Sequence, residues 1–154
     1  MSTQPVSAES RPDLDGLVAA LLPLAEDQLR KRPTFAPFAA SVATDGNVTL
    51  AMAYDDAEAL TTNVLISMLE EGLRAQATTR KIRACGICYD GRLRPASGGN
   101  AQDAVLINLE HERGEALQIA RPYSRRPLRG IAFAEIIALP ATPSIFLSTS
   151  DDAA

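Results

Sequence analysis

Two spacings alternate along this chain, a helical one and a strand-like one, and their order outlines a fold. Leu14, Leu17, Val18, Leu21 and Leu22 recur at helical intervals, and Leu24, Ala25 and Leu29 prolong the stripe. Asp13 suits the N-cap of this first helix and Asp15 its first turn, where unpaired N–H groups favour negative charge. Pro23 is expected to kink or divide it, because proline cannot donate the helical hydrogen bond. Arg30, Lys31 and Arg32 suit its C-terminal end, and Pro33 stops it.

From Phe38 to Tyr54 the period falls to two, which predicts a β-hairpin. A two-residue Asp45-Gly46 turn would set Val42 against Thr49, mixing apolar and polar positions. A three-residue loop of Thr44, Asp45 and Gly46 sets Val42 against Val48, Ala40 against Leu50 and Phe38 against Met52. The second register keeps like with like and gives Gly46 the left-handed conformation, so it is the one expected. Asp55 and Glu58 have the capping-box spacing, and Leu60, Val64, Leu65, Met68, Leu69 and Leu73 predict a second helix running to about Thr79. Glu70 and Arg74 stand in the favourable i,i+4 order for a surface pair.

Lys81 to Tyr89 reads as a strand, and residues 91–102, rich in Gly, Ser and Pro, read as a long loop. Asp103 to Tyr123 is a long hairpin. A loop of Glu112, Arg113 and Gly114 sets Leu109 against Leu117 and Ile107 against Ile119, with His111 across from Glu115. An arginine-rich connector follows. Ile131 to Leu139 is a strand with apolar residues on both faces, and Ile145-Phe146-Leu147 a short edge segment.

This order predicts an α+β domain: an antiparallel sheet of about five or six strands with two helices on one face. A barrel-like closure of the same strands is the alternative. Residues 1–11 read as a disordered tail, 12–148 as a single domain and 149–154 as a polar tail. If both helices cover one sheet face, the apolar residues on the other, Leu106 among them, require a second layer or a partner. A homodimer built on the sheet is the economical expectation.

Composition narrows the partners. A formal charge of −4 gives no general attraction for nucleic acid, and no RNA-binding or helix-turn-helix pattern is present, so no nucleic acid is expected. No apolar run is long enough to span a bilayer and the first residues lack a secretory pattern. With only two cysteines, a cytoplasmic protein with free thiols is expected.

Candidate chemistry is sparse. Cys85 and Cys88 form a C-x-x-C, but inside a strand they point to opposite faces, which suits neither a bridge nor a shared metal. His111 is the only histidine. Glu110, Glu112 and Glu115 surround it, yet Glu110 belongs to the other face and Glu112 to the turn, so an ion pair with Glu115 at the hairpin rim is expected rather than a metal or a general base. Gly98-Gly99-Asn100 lacks the lysine of a phosphate loop, and no serine has a hydrolase setting. Neither a metal site nor a cofactor site is expected, and an enzyme is the reading these residues favour least. The most suggestive surface is Arg121, Tyr123, Arg125, Arg126 and Arg129, whose guanidinium groups suit a small anion, a phosphate or a carboxylate.

The phrases F-A-P-F-A-A-S-V-A-T-D-G-N-V (Phe35–Val48) and D-A-V-L-I-N-L-E-H-E-R-G-E-A (Asp103–Ala116), with the later R-P-Y, resemble those of a group of small bacterial proteins. That resemblance implies no activity and no catalytic residue, and supports a non-enzymatic interaction or scaffold role. The element order also loosely resembles profilin and roadblock-type domains, a likeness of topology that implies no function.

Overall fold

A computed structural model describes residues 7–52, 61–94 and 98–147. Its elements are α1 (Arg11–Lys31), β1 (Phe38–Ala43), β2 (Val48–Met52), α2 (Thr62–Thr78), β3 (Ile82–Leu93), β4 (Gln102–His111), β5 (Ala116–Arg126), β6 (Gly130–Phe133) and β7 (Ile137–Pro140). The α+β class and the antiparallel sheet are as expected, with seven strands rather than five or six. The order is β2-β1-β3-β4-β5-β6, with β7 also paired to β5, so the sheet is open, not a barrel.

Both hairpin registers follow the side-chain alternation. Val42 faces Val48, Ala40 faces Leu50 and Phe38 faces Met52. Leu109 faces Leu117 and Ile107 faces Ile119. Each loop closes on a glycine in the left-handed region, Gly46 at φ 97° and Gly114 at φ 100°. A residue with a Cβ meets steric resistance there.

The helices do not share a face, contrary to expectation. Leu14, Leu17, Leu21, Leu22 and Leu29 of α1 pack with Phe38, Ala40, Val42, Ala84, Cys88, Val105, Ile107 and Leu109. Leu69 and Leu73 of α2 pack with Ala39, Cys85 and Ile87. These sets alternate along β1 and β3, so α1 and α2 lie on opposite sides of the sheet. The physical reason is that β1 and β3 are apolar on both faces, and each face needs its own cover. Gly86 lets α1 sit close: a Cβ there would lie 2.9 Å from Leu21 and from Leu109.

Other boundaries also moved. Helix α1 starts after Ser10, not Asp13, and runs through Pro23 without a break. Ser7 and Ser10, assigned above to a disordered tail, donate to Glu115 at the end of the β4–β5 hairpin, with Ser10 fully buried. Helix α2 starts at Thr62, capped by the Thr61 hydroxyl, which accepts from Val64 N–H at 3.2 Å. The Asp55–Glu58 capping box lies outside the described residues. Strand β3 extends through Gly91 to Leu93, which shortens the expected 91–102 loop. The expected strand Ile131–Leu139 is two short ones, β6 and β7, separated at residues 134–136. Ile145 is not on an edge strand: it is buried on the α2 side of the sheet beside Leu69 and Leu73.

Candidate binding surface

Strand β5 carries Arg121, Tyr123, Arg125 and Arg126, Arg129 follows in the turn before β6, and the fold uses three of these five expected site residues internally. Arg121 donates to Glu26 of α1 at 2.9 Å and to the carbonyl of Ala134 at 2.9 Å. Arg125 donates to the carbonyls of Leu29, Arg32 and Pro33, at 2.9–3.2 Å. It thus caps the C-terminal end of α1, where unpaired carbonyls favour a cation. Arg125 also lies over the Tyr123 ring, 5.8 Å from its centroid. Tyr123 is buried and donates to Asp90 at 2.7 Å; Asp90 accepts from Thr34 as well, at 2.6 Å. Burial pushes the Tyr123 phenol well above the ordinary tyrosine range, and its bond to Asp90 adds to the shift.

Arg126 and Arg129 flank the tip of the β5–β6 hairpin. Both are exposed, and among the described residues their side chains have no hydrogen-bonding or ionic partner. The tip is a turn closed by Arg129 N–H donating to the Arg126 carbonyl at 3.1 Å. Leu128 within it has φ 64°, a strained setting for a residue with a side chain, and is fully exposed. The five residues therefore do not converge on one cleft. Arg121, Tyr123 and Arg125 hold α1 and its exit, while Arg126 and Arg129 stand outside.

His111 also differs from expectation. Its Nε2 lies 2.9 Å from Asp13 Oδ2, and its side chain is only 4% exposed. Its Nδ1 accepts from Arg113 N–H at 3.3 Å, which makes Nε2 the protonated nitrogen and Asp13 its acceptor. Asp13 also accepts two bonds from Arg83, each of 2.9 Å. Burial raises the Asp13 pKa, but the bonds from Arg83 and His111 outweigh it and hold the carboxyl below the usual aspartate range. Glu115, the expected ion-pair partner, instead accepts from the Ser10 hydroxyl and the Ser7 N–H. His111 and Glu115 meet through their backbones: His111 N–H donates to the Glu115 carbonyl at 2.9 Å. The expected pair fails because the α1 N-terminus packs across the hairpin end and supplies better partners to both.

On the opposite face lies Glu110, to which the sequence assigns no role of its own. Glu110 is buried and accepts from Ser144 N–H and hydroxyl, Ile145 N–H and Phe146 N–H, at 2.9–3.1 Å. Arg74 donates to the Ser144 carbonyl at 3.0 Å rather than pairing with Glu70. The segment 144–146 is thereby strapped between α2 and the sheet. A buried carboxylate needs such donors, and the placement of Glu110 on the sheet face opposite Ile107 and Leu109 was the only signal the sequence held.

Cys85 and Cys88 are buried on opposite faces, Cys88 under α1 and Cys85 under α2. Burial pushes both thiols far above the usual range, which makes them poor nucleophiles. Among the described residues no group of three or more His, Cys, Asp or Glu side chains is placed to hold a metal ion. No described helix is long and apolar enough to cross a membrane.

Part of what is uncovered is apolar. All five residues of β2 are exposed, including Val48, Leu50 and Met52, which share the α1 side of the sheet. Val64 and Met68 of α2 and Ile136 and Ile137 near β7 are exposed as well. Val64 and Met68 line a shallow depression of about 340 Å³ with Asn63, Ser67 and Glu71. Comparison of the chain with protein-family models, curated proteins and solved structures returned no match.

Proposed function

We propose that this chain is a non-enzymatic interaction domain that works as a homodimer. The observation that carries the reading is the exposed apolar row Val48, Leu50 and Met52 on an edge strand. Three such side chains in a line lose little by pairing with another surface and gain the removal of apolar area from water. The described ionisable clusters support it from the other side, since Asp13, His111, Glu115, Arg121 and Arg125 serve α1 and Glu110 serves segment 144–146. A reducing cytoplasm fits the two buried free thiols. Nucleic acid is a poor partner for a chain of charge −4.

The test is the mass of the protein in solution by light scattering and sedimentation equilibrium across a wide concentration range. A dimer that dissociates on dilution is expected; a monomer at every concentration up to roughly millimolar overturns the proposal.

A second reading, binding of a small anion such as phosphate or a carboxylate at the β5–β6 tip, is favoured by the unpartnered Arg126 and Arg129 alone. Stabilisation by phosphate in a thermal-shift series, lost in Arg126→Ala/Arg129→Ala, would establish it.

A further inference from the structure

We propose that the partner of β2 is the β2 strand of a second copy, paired antiparallel about a two-fold axis through Leu50. This rests on the homodimer reading and names its interface. Three features of the edge carry it.

The first is which backbone groups are free. Ala43 N–H donates to the Asn47 carbonyl at 2.8 Å, so Ala43 and Asn47 are a hydrogen-bonded pair of the β1–β2 ladder. Antiparallel pairs alternate, so the pairs Ser41–Thr49 and Ala39–Ala51 are hydrogen-bonded too. The backbone N–H and C=O groups of Val48, Leu50 and Met52 then point away from β1, along an edge that no other described strand pairs with. The residues that offer backbone pairing are therefore the same three that expose apolar side chains.

The second is self-complementarity. Centred on Leu50, an antiparallel copy sets Leu50 against Leu50, Val48 against Met52 and Thr49 against Ala51. The Leu50–Leu50 pair and the two Val48–Met52 pairs are hydrogen-bonded on the outer side, giving roughly six backbone bonds. One face of the joint is apolar and the other carries only Thr49 and Ala51. A two-fold interface requires a patch that matches itself, and this one does.

The third is the contrast between the two edges of the sheet. The far edge is broken into β6 and β7, interrupted at 134–136, ended by Pro140 and flanked by Arg126, Arg129 and Glu135. Breaks, prolines and charges are the devices that keep an edge from pairing. Strand β2, V-T-L-A-M, has no charge, no proline and an unbroken register with β1. Like charges do not oppose a second copy there. The five-residue strand makes a small joint, so a dissociation constant on the order of micromolar is expected.

The experiment compares the full-length wild type with Leu50→Lys, and with Leu50→Cys and Val48→Cys under mild copper oxidation. Leu50 is about half exposed, at 49%, so the substitutions leave the core intact, which unchanged circular dichroism and equal melting at dilutions where the wild type is monomeric verify. Leu50→Lys sets two ammonium groups face to face, and the dissociation constant should rise at least about tenfold. In the proposed register the Cα atoms at position 50 of the two copies lie about 5.5 Å apart, within disulfide reach, and Leu50→Cys should give a covalent dimer. The Cα atoms at position 48 of the two copies lie four positions apart along the strands, about 13 Å, and Val48→Cys should not. The native thiols, both buried, do not compete. A wild-type dimer that Leu50→Lys leaves intact, or that crosslinks no better in Leu50→Cys than in Val48→Cys, overturns the β2 joint while the homodimer reading stands. A wild type that is monomeric throughout overturns both.

Discussion

Replacing Asp13 with alanine removes the acceptor at which α1 is tied to the sheet. His111 is then left with a protonated Nε2 and no acceptor in a setting only 4% exposed. An unpaired buried donor costs about 1–3 kcal/mol. The first turn of α1 also loses a negative charge at its N-terminal end, about 0.3–1 kcal/mol at a partly exposed site. The Arg83 arm is one-third exposed and rehydrates, so it adds little. The sum is about 1–4 kcal/mol, and at this chain length each kcal/mol moves the melting point by about 2–4 °C. Asp13→Ala should therefore melt about 3–16 °C below wild type. Asp13→Asn, which keeps one acceptor oxygen, should fall between the two.

The same geometry fixes a pH dependence. The Asp13 pKa is lower in the folded protein than its ordinary value of 3.8. A depressed acid contributes stability that is fully present above its unfolded pKa and is lost as pH falls through the folded one. The gap between wild type and Asp13→Asn should therefore be full at neutral pH and narrow below about pH 4. Urea denaturation at several pH values measures both effects. A neutral-pH loss under about 0.5 kcal/mol, or a gap that widens toward acid, would refute the assignment of Asp13 as the tie.

Four further outcomes test other parts of the fold. Glu110→Ala strands the amides of Ser144, Ile145 and Phe146; hydrogen exchange at these three should accelerate, with about 2–3 kcal/mol lost overall, and unchanged protection would show that apolar packing of Ile145 suffices. Arg125→Ala uncaps α1 and should lower the melting point by about 2–4 °C, whereas an unchanged value would mean that water replaces it fully. The Tyr123 pKa is raised in the fold, so its contribution is complete below the ordinary tyrosine value near 10 and declines above it; alkaline melting should be less steep in Tyr123→Phe, and parallel curves would contradict this. Arg80 closes α2 in a left-handed conformation, φ 58°, with Arg80 and Lys81 N–H groups bonded back to Ala77 and Gln76. Arg80→Gly should raise the melting point by about 1–4 °C, and a fall would show that the arginine side chain matters more than the strain.

What could be read from the sequence divides by distance along the chain. Both hairpin registers were legible, because a three-residue loop with glycine last and strict alternation leave one arrangement that matches apolar to apolar. The opposed faces of Cys85 and Cys88 were legible for the same reason. The placement of α2 was missed, although Ala39, Cys85 and Ile87 were visibly apolar on the face that α1 leaves bare. The polar contacts were least legible. Asp13 and His111 are 98 residues apart and Ser10 and Glu115 are 105 apart. Nothing local selects such partners; they follow from where α1 lands on the sheet. The arginine cluster misled in the same way, since a run of cations reads alike whether it faces a ligand or the carbonyls of a helix end.

That helix end accounts for the cluster better than an anion does. Face-on to the sheet, α1 is held by Arg83, His111 and Glu115 around its N-terminal end and by Arg121 and Arg125 along its C-terminal half. At the N-terminal end Glu115 accepts from Ser7 and Ser10, while Arg83 and His111 donate to Asp13 of the first turn; at the other end cations meet Glu26 and the last carbonyls. A phosphate at Arg121 and Arg125 would have to displace Glu26 and the carbonyls of Leu29, Arg32 and Pro33, so anion binding there and docking of α1 compete. The clamp fixes α1 over β1, β3 and β4, and it does not reach β2, all five residues of which stay exposed. The side-chain chemistry that first suggests a binding site therefore serves to position the helix, and by positioning it leaves the apolar edge open.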